Sequence, residues 1–170
     1  MLVVSNTSPL SNLAIIGHLE LVREQLGQVI IPAAVRAELN RHPDSAARAV
    51  IEAAIASGWL RVLPLATPVR DDLAASLGLG EAEALTLALK LRASLVLLDE
   101  SAARRWAGDL GLSFTGALGI LRRAKQTGRI TSLKEEIARL RAEAHFFISP
   151  TLERTLLTSV GEAPREAREN

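Results

Sequence analysis

The chain lacks cysteine and tyrosine, and its aromatic residues are only two tryptophans and three phenylalanines among 170 residues. Without cysteine there is neither a disulfide framework nor a thiolate metal site. The scarcity of aromatic side chains disfavours a protein that binds single-stranded nucleic acid by stacking bases on aromatic platforms. Binding to nucleic acid through phosphate groups stays open.

The chain also lacks an excess of charge. Twenty basic side chains face 19 acidic ones, so the formal net charge is +1 and any electrostatic attraction of a ligand must be local. The three histidines, His18, His42 and His145, have no spacing typical of a zinc site. No stretch approaches the roughly 20 apolar residues that span a bilayer, and the first residues do not resemble a signal peptide. We therefore expect a cytoplasmic protein with no membrane partner.

What is present is a hydrophobic chain, with 48% apolar residues and a length that suits one domain. Short runs typical of strands alternate with helical patterns, and this order predicts an α/β domain with a mainly parallel sheet. The strand candidates are Leu2–Ser5, Gln28–Ile31, Leu60–Leu65, Ser94–Asp99 and Leu112–Thr115.

Three signals predict where helices begin. Ser8 before Pro9 indicates a helix cap followed by a proline in the first turn, Pro32 starts a helix directly after a strand, and a mostly buried helix opens behind Gly80. From about Thr127 onward, the capping pattern of Ser132–Glu135 and the later Ser149–Pro150 pair predict two more helices. We therefore divide the chain into a domain at 1–126 and a helical extension at 127–170 packed on it, whose last residues should fray.

Polar residues follow the predicted strands, at the sheet edge where parallel α/β domains place their chemistry. Each has an ordinary structural alternative: Glu38 can face solvent, Glu81 or Glu83 can favour the first turn of a helix, and Asp99 can cap a helix beginning near Ser101. Glu81 and Glu83 differ by about 200° around a helix, so they cannot both point at one site. The full set is Asn6, Glu38, Glu81, Glu83, Asp99 and Glu100.

Several oxygen ligands that converge without cysteine or histidine suit a hard cation, Mg²⁺ or Mn²⁺. Such an ion supports hydrolysis of a phosphodiester, because it helps to generate hydroxide and neutralises charge in the transition state. An alternative, a doubly wound domain for a small ligand, is disfavoured because the chain has no GxGxxG after a strand and no GxxxxGK[ST] loop.

Four blocks, taken in order, resemble the PIN-domain nucleases. They are VVSNTSPLSNLA, VIIPAAVRAEL, LGLGEAEALTLALKLRASLVLLDESAARRWA and FTGALGILRRAKQTGRI. The resemblance is closest to a bacterial and archaeal branch of PIN-like proteins often found in toxin–antitoxin settings. It implies a three-layer α/β/α fold with a mainly parallel central sheet, and a metal-dependent endoribonuclease, a toxin whose antitoxin covers the site. It also implies a homodimer.

Carried over by position, the resemblance implies a catalytic and metal-binding set of Asn6, Glu38, Glu81 and Asp99. Glu81 and Asp99 are 18 positions apart, which favours Glu81 over Glu83. Asn6 is the one departure, because the family usually has an aspartate there and an amide brings no charge. We therefore keep a second hypothesis, a PIN-like scaffold that has lost most activity and binds RNA or protein. Thr7, Ser8, Glu83 and Glu100 are supporting candidates.

Basic residues near the same edge are candidates for holding the RNA backbone. The alternative is that they form a solvated helix face. They are Arg104, Arg105, Arg122, Arg123 and Lys125.

Overall fold

The structure, a computed structural model, describes residues 1–162. Residues 163–170, the end of the predicted extension, lie outside the described part. Each predicted strand is present, and each is shorter than predicted because the runs include flanking turn residues. The strands are β1 Val3–Ser5, β2 Val29–Ile31, β3 Leu60–Val62, β4 Leu95–Leu97 and β5 Phe114–Thr115.

Helices connect and flank the strands. The described helices are α1 Thr7–Ile15, α2 Glu20–Leu26, α3 Ala33–Asn40, α4 Ser45–Ala56, α5 Asp71–Ser76, α6 Leu79–Leu91, α7 Ser101–Asp109, α8 Ala117–Gln126, α9 Leu133–Ala144 and α10 Pro150–Ser159. None of them is both long and apolar enough to cross a membrane.

All five strands are parallel, in the order β3-β2-β1-β4-β5. Helices cover both faces, so alternate strand residues enter two different cores. Val3 and Leu97 pack with helices α1, α4, α8 and α9, whereas Val4 and Val96 pack with α6 and α7. The strands are buried on both sides, which explains their continuous apolar sequences. The predicted three-layer α/β/α fold is confirmed.

The tail continues the first of these cores. Leu133, Ile137 and Leu140 of α9, and Leu157 of α10, are buried in the cluster that contains α1 and α8. Ser132 accepts a hydrogen bond from the backbone N–H of Glu135, as its capping pattern predicts. The helices after residue 127 are therefore packed against the α/β domain.

Candidate functional site

The strand order reverses between β1 and β4, and this switch point is where α/β sheets open a crevice beyond the carboxyl ends of their strands. Asn6 follows β1, and Asp99 with Glu100 follows β4. The backbone N–H of Asn6 donates to the carbonyl of Leu97 at 3.0 Å, which holds the two strand ends together. The topology thus brings residues 93 or more positions apart to one edge.

Asn6 is buried, with 2% of its surface exposed. Its Nδ2 donates to Glu100 Oε2 at 3.3 Å, while its Oδ1 is buried with no hydrogen-bond partner within residues 1–162. A buried carbonyl oxygen without a donor costs free energy, so a natural partner for it is a water or a cation. Asn6 therefore contributes a buried oxygen that no hydrogen bond from the described residues satisfies.

The segment after Asn6 corrects one prediction. Ser8 is not the cap of the first helix, because α1 already begins at Thr7 and Asn6 occupies the cap position without a side-chain capping bond. Both hydroxyls bind carboxylates instead: Thr7 Oγ1 donates to Glu38 Oε2, and Ser8 Oγ donates to Glu100 Oε1. The residues after β1 therefore link two acids from different parts of the chain.

Glu38 lies on α3 and is half-buried rather than solvated. Besides the Thr7 hydroxyl, its carboxylate accepts the backbone N–H of Gly80 at 3.2 Å. A Cβ atom at position 80 would lie 2.6 Å from one carboxylate oxygen of Glu38 and 2.7 Å from the other, so only glycine leaves room for this approach. The helix that was predicted to open behind Gly80 begins before that glycine, at Leu79.

The carboxylates of Glu81 and Glu83 accept hydrogen bonds at the starts of two different helices. Glu81 Oε2 accepts the backbone N–H of Gly78 at 3.1 Å, at the start of its own helix. Glu83 Oε2 accepts the backbone N–H of Ala34 at 2.9 Å, in the first turn of α3. The two carboxylates have separate partners, as their helical spacing predicts, and that of Glu83 stabilises a helix end.

Asp99 also binds a helix end. Its Oδ1 accepts a hydrogen bond from the backbone N–H of Ala117, the first residue of α8, and its Oδ2 accepts one from Asn12 Nδ2. Both donor–acceptor distances are 2.8 Å. The structural alternative considered for Asp99, a cap on the helix near Ser101, is therefore wrong in detail. Helix α7 has Glu100 at its cap position, and Asp99 holds α8 instead.

Comparisons with known proteins agree with this architecture. A family model described as PIN domain matches residues 2–162. The chain belongs to the PIN domain family. A solved structure of a PilT N-terminus domain protein from the archaeon Sulfolobus solfataricus aligns with a TM-score of 0.52 and 17% identity, over 87% of this chain and 100% of that one. This likeness supports the fold alone. No significant match is found among curated proteins.

Membership of the PIN domain family implies a nuclease-like fold, and PIN domains generally use divalent metals. In the part of the chain that the structure describes, no three histidine or acidic side chains stand close enough together to hold a metal ion. The carboxylates are instead hydrogen-bonded separately, as described above. The side-chain oxygens nevertheless suit a hard cation in chemical type, and the buried Oδ1 of Asn6 has no hydrogen-bond partner among residues 1–162.

The acids influence one another electrostatically. Burial, opposed by the Gly78 N–H, raises the pKa of Glu81, and the negative charges of Glu100 and Glu38 raise it further. Burial is also the largest influence on Asp99, and it raises the pKa of that carboxyl. Hydrogen bonds from the Ala117 N–H and from Asn12 lower this pKa in part. The charge of Glu100 raises it, and the charge of Arg104 lowers it. A bound cation would offset the repulsion between these carboxylates and would lower their pKa values.

Two of the candidate RNA-binding residues, Lys125 and Arg104, make contacts within the protein, and the other three are exposed. Lys125 Nζ lies 3.2 Å from Glu162 and donates to the Thr131 carbonyl, so its charge is neutralised within the tail. Arg104 donates to the Leu98 carbonyl at 2.8 Å, and its guanidinium lies 5.5 Å from the centre of the Phe114 ring. The remaining candidates, Arg105, Arg122 and Arg123, are exposed.

The shifted pKa of Glu81 predicts a dependence of stability on pH in the metal-free protein. Folding raises this pKa, so the folded state keeps the proton to a higher pH than the unfolded chain does. The contribution of Glu81 to the unfolding free energy should be full below the ordinary glutamate pKa and should fall as the pH rises through the raised pKa. Chemical denaturation in EDTA at a series of pH values would measure it, with Glu81→Gln as the comparison. Parallel pH profiles for the two proteins would contradict the assignment.

Proposed function

We propose that this PIN domain is a metal-dependent endoribonuclease that hydrolyses RNA phosphodiester bonds with Mg²⁺ or Mn²⁺. The observation that carries the proposal is the buried side-chain carbonyl oxygen of Asn6, which lies at the switch point and has no hydrogen-bond partner within the described part of the chain. The negative charges of Glu100 and Glu38 also raise the pKa of Glu81. Such an orphan oxygen among acids is what a divalent cation would satisfy.

The residues proposed to hold the ion come from four segments. They are Asn6, Glu38, Glu81 and the strand-end acids Asp99 and Glu100. When bound, the ion supplies a more acidic water and neutralises charge on the phosphate. The protein keeps Glu38 in place through Thr7 and Gly80, and keeps Glu100 in place through Asn6 and Ser8.

RNA would reach this acidic edge along basic side chains. We propose that Arg104, Arg105, Arg122 and Arg123 bind its phosphates, and that Lys125, which is paired with Glu162, contributes little. Because the net charge is only +1, binding should be weak and should fall with salt. The proposals of a toxin with an antitoxin partner and of a homodimer rest on the family resemblance. A neighbouring reading frame that encodes a small DNA-binding protein would support the proposal that this protein is a toxin.

The decisive experiment is a metal titration of the whole protein. We expect MnCl₂ or MgCl₂ to raise the melting temperature, because an ion that binds only the folded state stabilises it, by about 2.7 kcal/mol at 100 times its Kd. Cleavage of a single-stranded RNA should require the same ion and stop in EDTA. If millimolar Mn²⁺ causes neither a thermal shift nor cleavage, the enzyme is excluded. The second candidate function is a PIN-like scaffold that binds RNA or protein with little or no catalysis, and the uncharged amide at position 6 favours it. A shift of labelled RNA by the protein in a gel-shift assay, without cleavage, would support this function.

A further inference from the structure

An aromatic side chain lies at the outer edge of the sheet. β5 is the last strand in the order, and its residue Phe114 pairs with Val96 of β4. Phe114 is 37% exposed, and the Arg104 guanidinium lies over its ring, 5.5 Å from the ring centre. A single exposed apolar residue is ordinary on a protein surface, so its surroundings determine whether it can bind a ligand.

Phe114 lines a cavity of about 230 Å³ between β5 and the helices α7, α8 and α10. Leu152 and Leu156 of α10 are four positions apart, so they share one face of that helix, and both line the cavity. Leu157 of the same helix is buried in the core and anchors it. The helical tail therefore supplies one wall of a cavity whose other walls belong to the α/β domain.

The charged residues of this cavity are both cations. Arg104 of α7 and Arg122 of α8 line it, and none of its lining residues in the part of the chain that the structure describes is acidic. Bases of single-stranded RNA stack on aromatic rings and on guanidinium planes, and their phosphates attract arginine. A nucleotide therefore complements both the ring and the charge, whereas an apolar segment of a protein would leave the two cations without an anion.

The cavity adjoins the acidic edge of the sheet. Arg104 Nη2 and Asp99 Oδ1 both lie against Gly116, because a Cβ atom at position 116 would overlap each of them. Gly116 directly follows β5, the strand that carries Phe114. An RNA strand with a phosphate at the acidic edge can therefore place a neighbouring base in the cavity.

We propose that this cavity, the Phe114 pocket, holds one base of single-stranded RNA beside the phosphate that is cleaved. The base stacks on Phe114, and Arg122 binds an adjacent phosphate. The inference rests on the proposed function. One ring can hold one base, so the scarcity of aromatic residues argues against a platform for successive bases and not against this pocket. Helix α10 takes part in substrate binding through Leu152 and Leu156.

The test is fluorescence anisotropy of the full chain with a labelled oligouridine, in EDTA to prevent cleavage. The reference ligand is an oligomer of the same length that has the sugar–phosphate backbone and no bases. The wild type should bind the oligouridine about 5- to 150-fold more tightly than the reference, the range expected for stacking of one base on an aromatic ring. Where binding in EDTA is too weak to measure, the KM values for cleavage with Mn²⁺ give the same comparison between proteins.

Phe114→Ala should lose most of this preference for bases. Phe147→Ala is the matched control, because it removes the same ring from a residue that is 86% exposed and does not line the cavity, and it should keep the preference. Thermal melts verify folding. Phe114→Leu, which keeps an apolar side chain in the cavity, replaces the alanine variant if that variant unfolds.

The outcomes separate this inference from the proposed function. If the wild type neither binds the oligouridine nor cleaves RNA with Mn²⁺, the proposed function itself fails. If it binds or cleaves RNA without a preference for bases, or if the Phe114 variant keeps the preference, only the inference is overturned. Equal losses in the Phe114 and Phe147 variants would also overturn it. A Phe114 variant with unchanged RNA affinity and a changed oligomeric state in gel filtration would identify the pocket as an interface between copies instead.

Discussion

Glu38→Gln is expected to weaken Mn²⁺ binding and RNA cleavage by about 100-fold or more, because it removes a charge from the proposed ion site. The substitution keeps the length of the side chain and one carbonyl oxygen. The amide oxygen can still accept the Gly80 N–H, and the amide NH2 can donate to the Thr7 hydroxyl oxygen, so the fold should survive. Calorimetry with MnCl₂ and cleavage of a labelled RNA measure the two losses.

The control for this prediction is Glu83→Gln. Glu83 is not among the residues proposed to hold the ion, since its carboxylate accepts the Ala34 N–H at the start of α3. A glutamine there can still accept that bond, so we expect the Mn²⁺ affinity to stay near the wild-type value. If the two variants lose affinity equally, charge removal anywhere on these helices is sufficient, and the specific role of Glu38 is contradicted.

Gly116→Ala is expected to lower the unfolding free energy by about 1–3 kcal/mol, the usual cost of forcing an extra group into a packed region. The added Cβ would lie 2.7 Å from the Leu98 carbonyl and would collide with Asp99 and Arg104. Part of the strain falls on rigid backbone, so side-chain movement cannot relieve all of it. The φ angle of Gly116 is −148°, which other residues adopt, so the effect comes from space alone.

Gly108→Ala is the matched comparison, because a Cβ there would meet no heavy atom of the described residues within 4 Å. Gly108 lies inside α7, where alanine is the better helix former, and the change should stabilise the protein by up to about 1 kcal/mol. Urea denaturation of both variants measures the difference. A Gly116→Ala protein as stable as the wild type would show that the contact between α8 and the β4 end can relax freely.

Periodicity predicts the strands well here because a strand covered on both faces needs an unbroken apolar run, and such runs are visible in sequence. LVVS and SLVLLD each contain a three-residue strand of the central sheet. The same alternation with helices predicts parallel pairing, and the structure confirms it. Strand ends were less accurate: the predicted strand at 60–65 stops at Val62, since pairing with β2 ends there and Pro64 follows.

Helix caps were predicted less well wherever a distant partner competes for the capping side chain. Ser132 caps its own helix as its local pattern indicates, because it accepts the Glu135 N–H three residues away. Ser8 has an equally plausible local pattern, yet its hydroxyl binds Glu100, 92 positions later. A sequence pattern can indicate the first kind of contact, whereas the second depends on which strands become neighbours.

The sequence by itself determined the α/β order, the family and the set of polar residues at one sheet edge, because these follow from periodicity, spacing and motif order. Only the tertiary structure decided which acid serves which purpose. Asp99 and Glu100 are adjacent in the chain, but one turns toward the N-terminus of α8 and the other toward Asn6 and Ser8. Side-chain direction depends on the groups that packing brings within hydrogen-bond distance, and those groups lie far away in sequence.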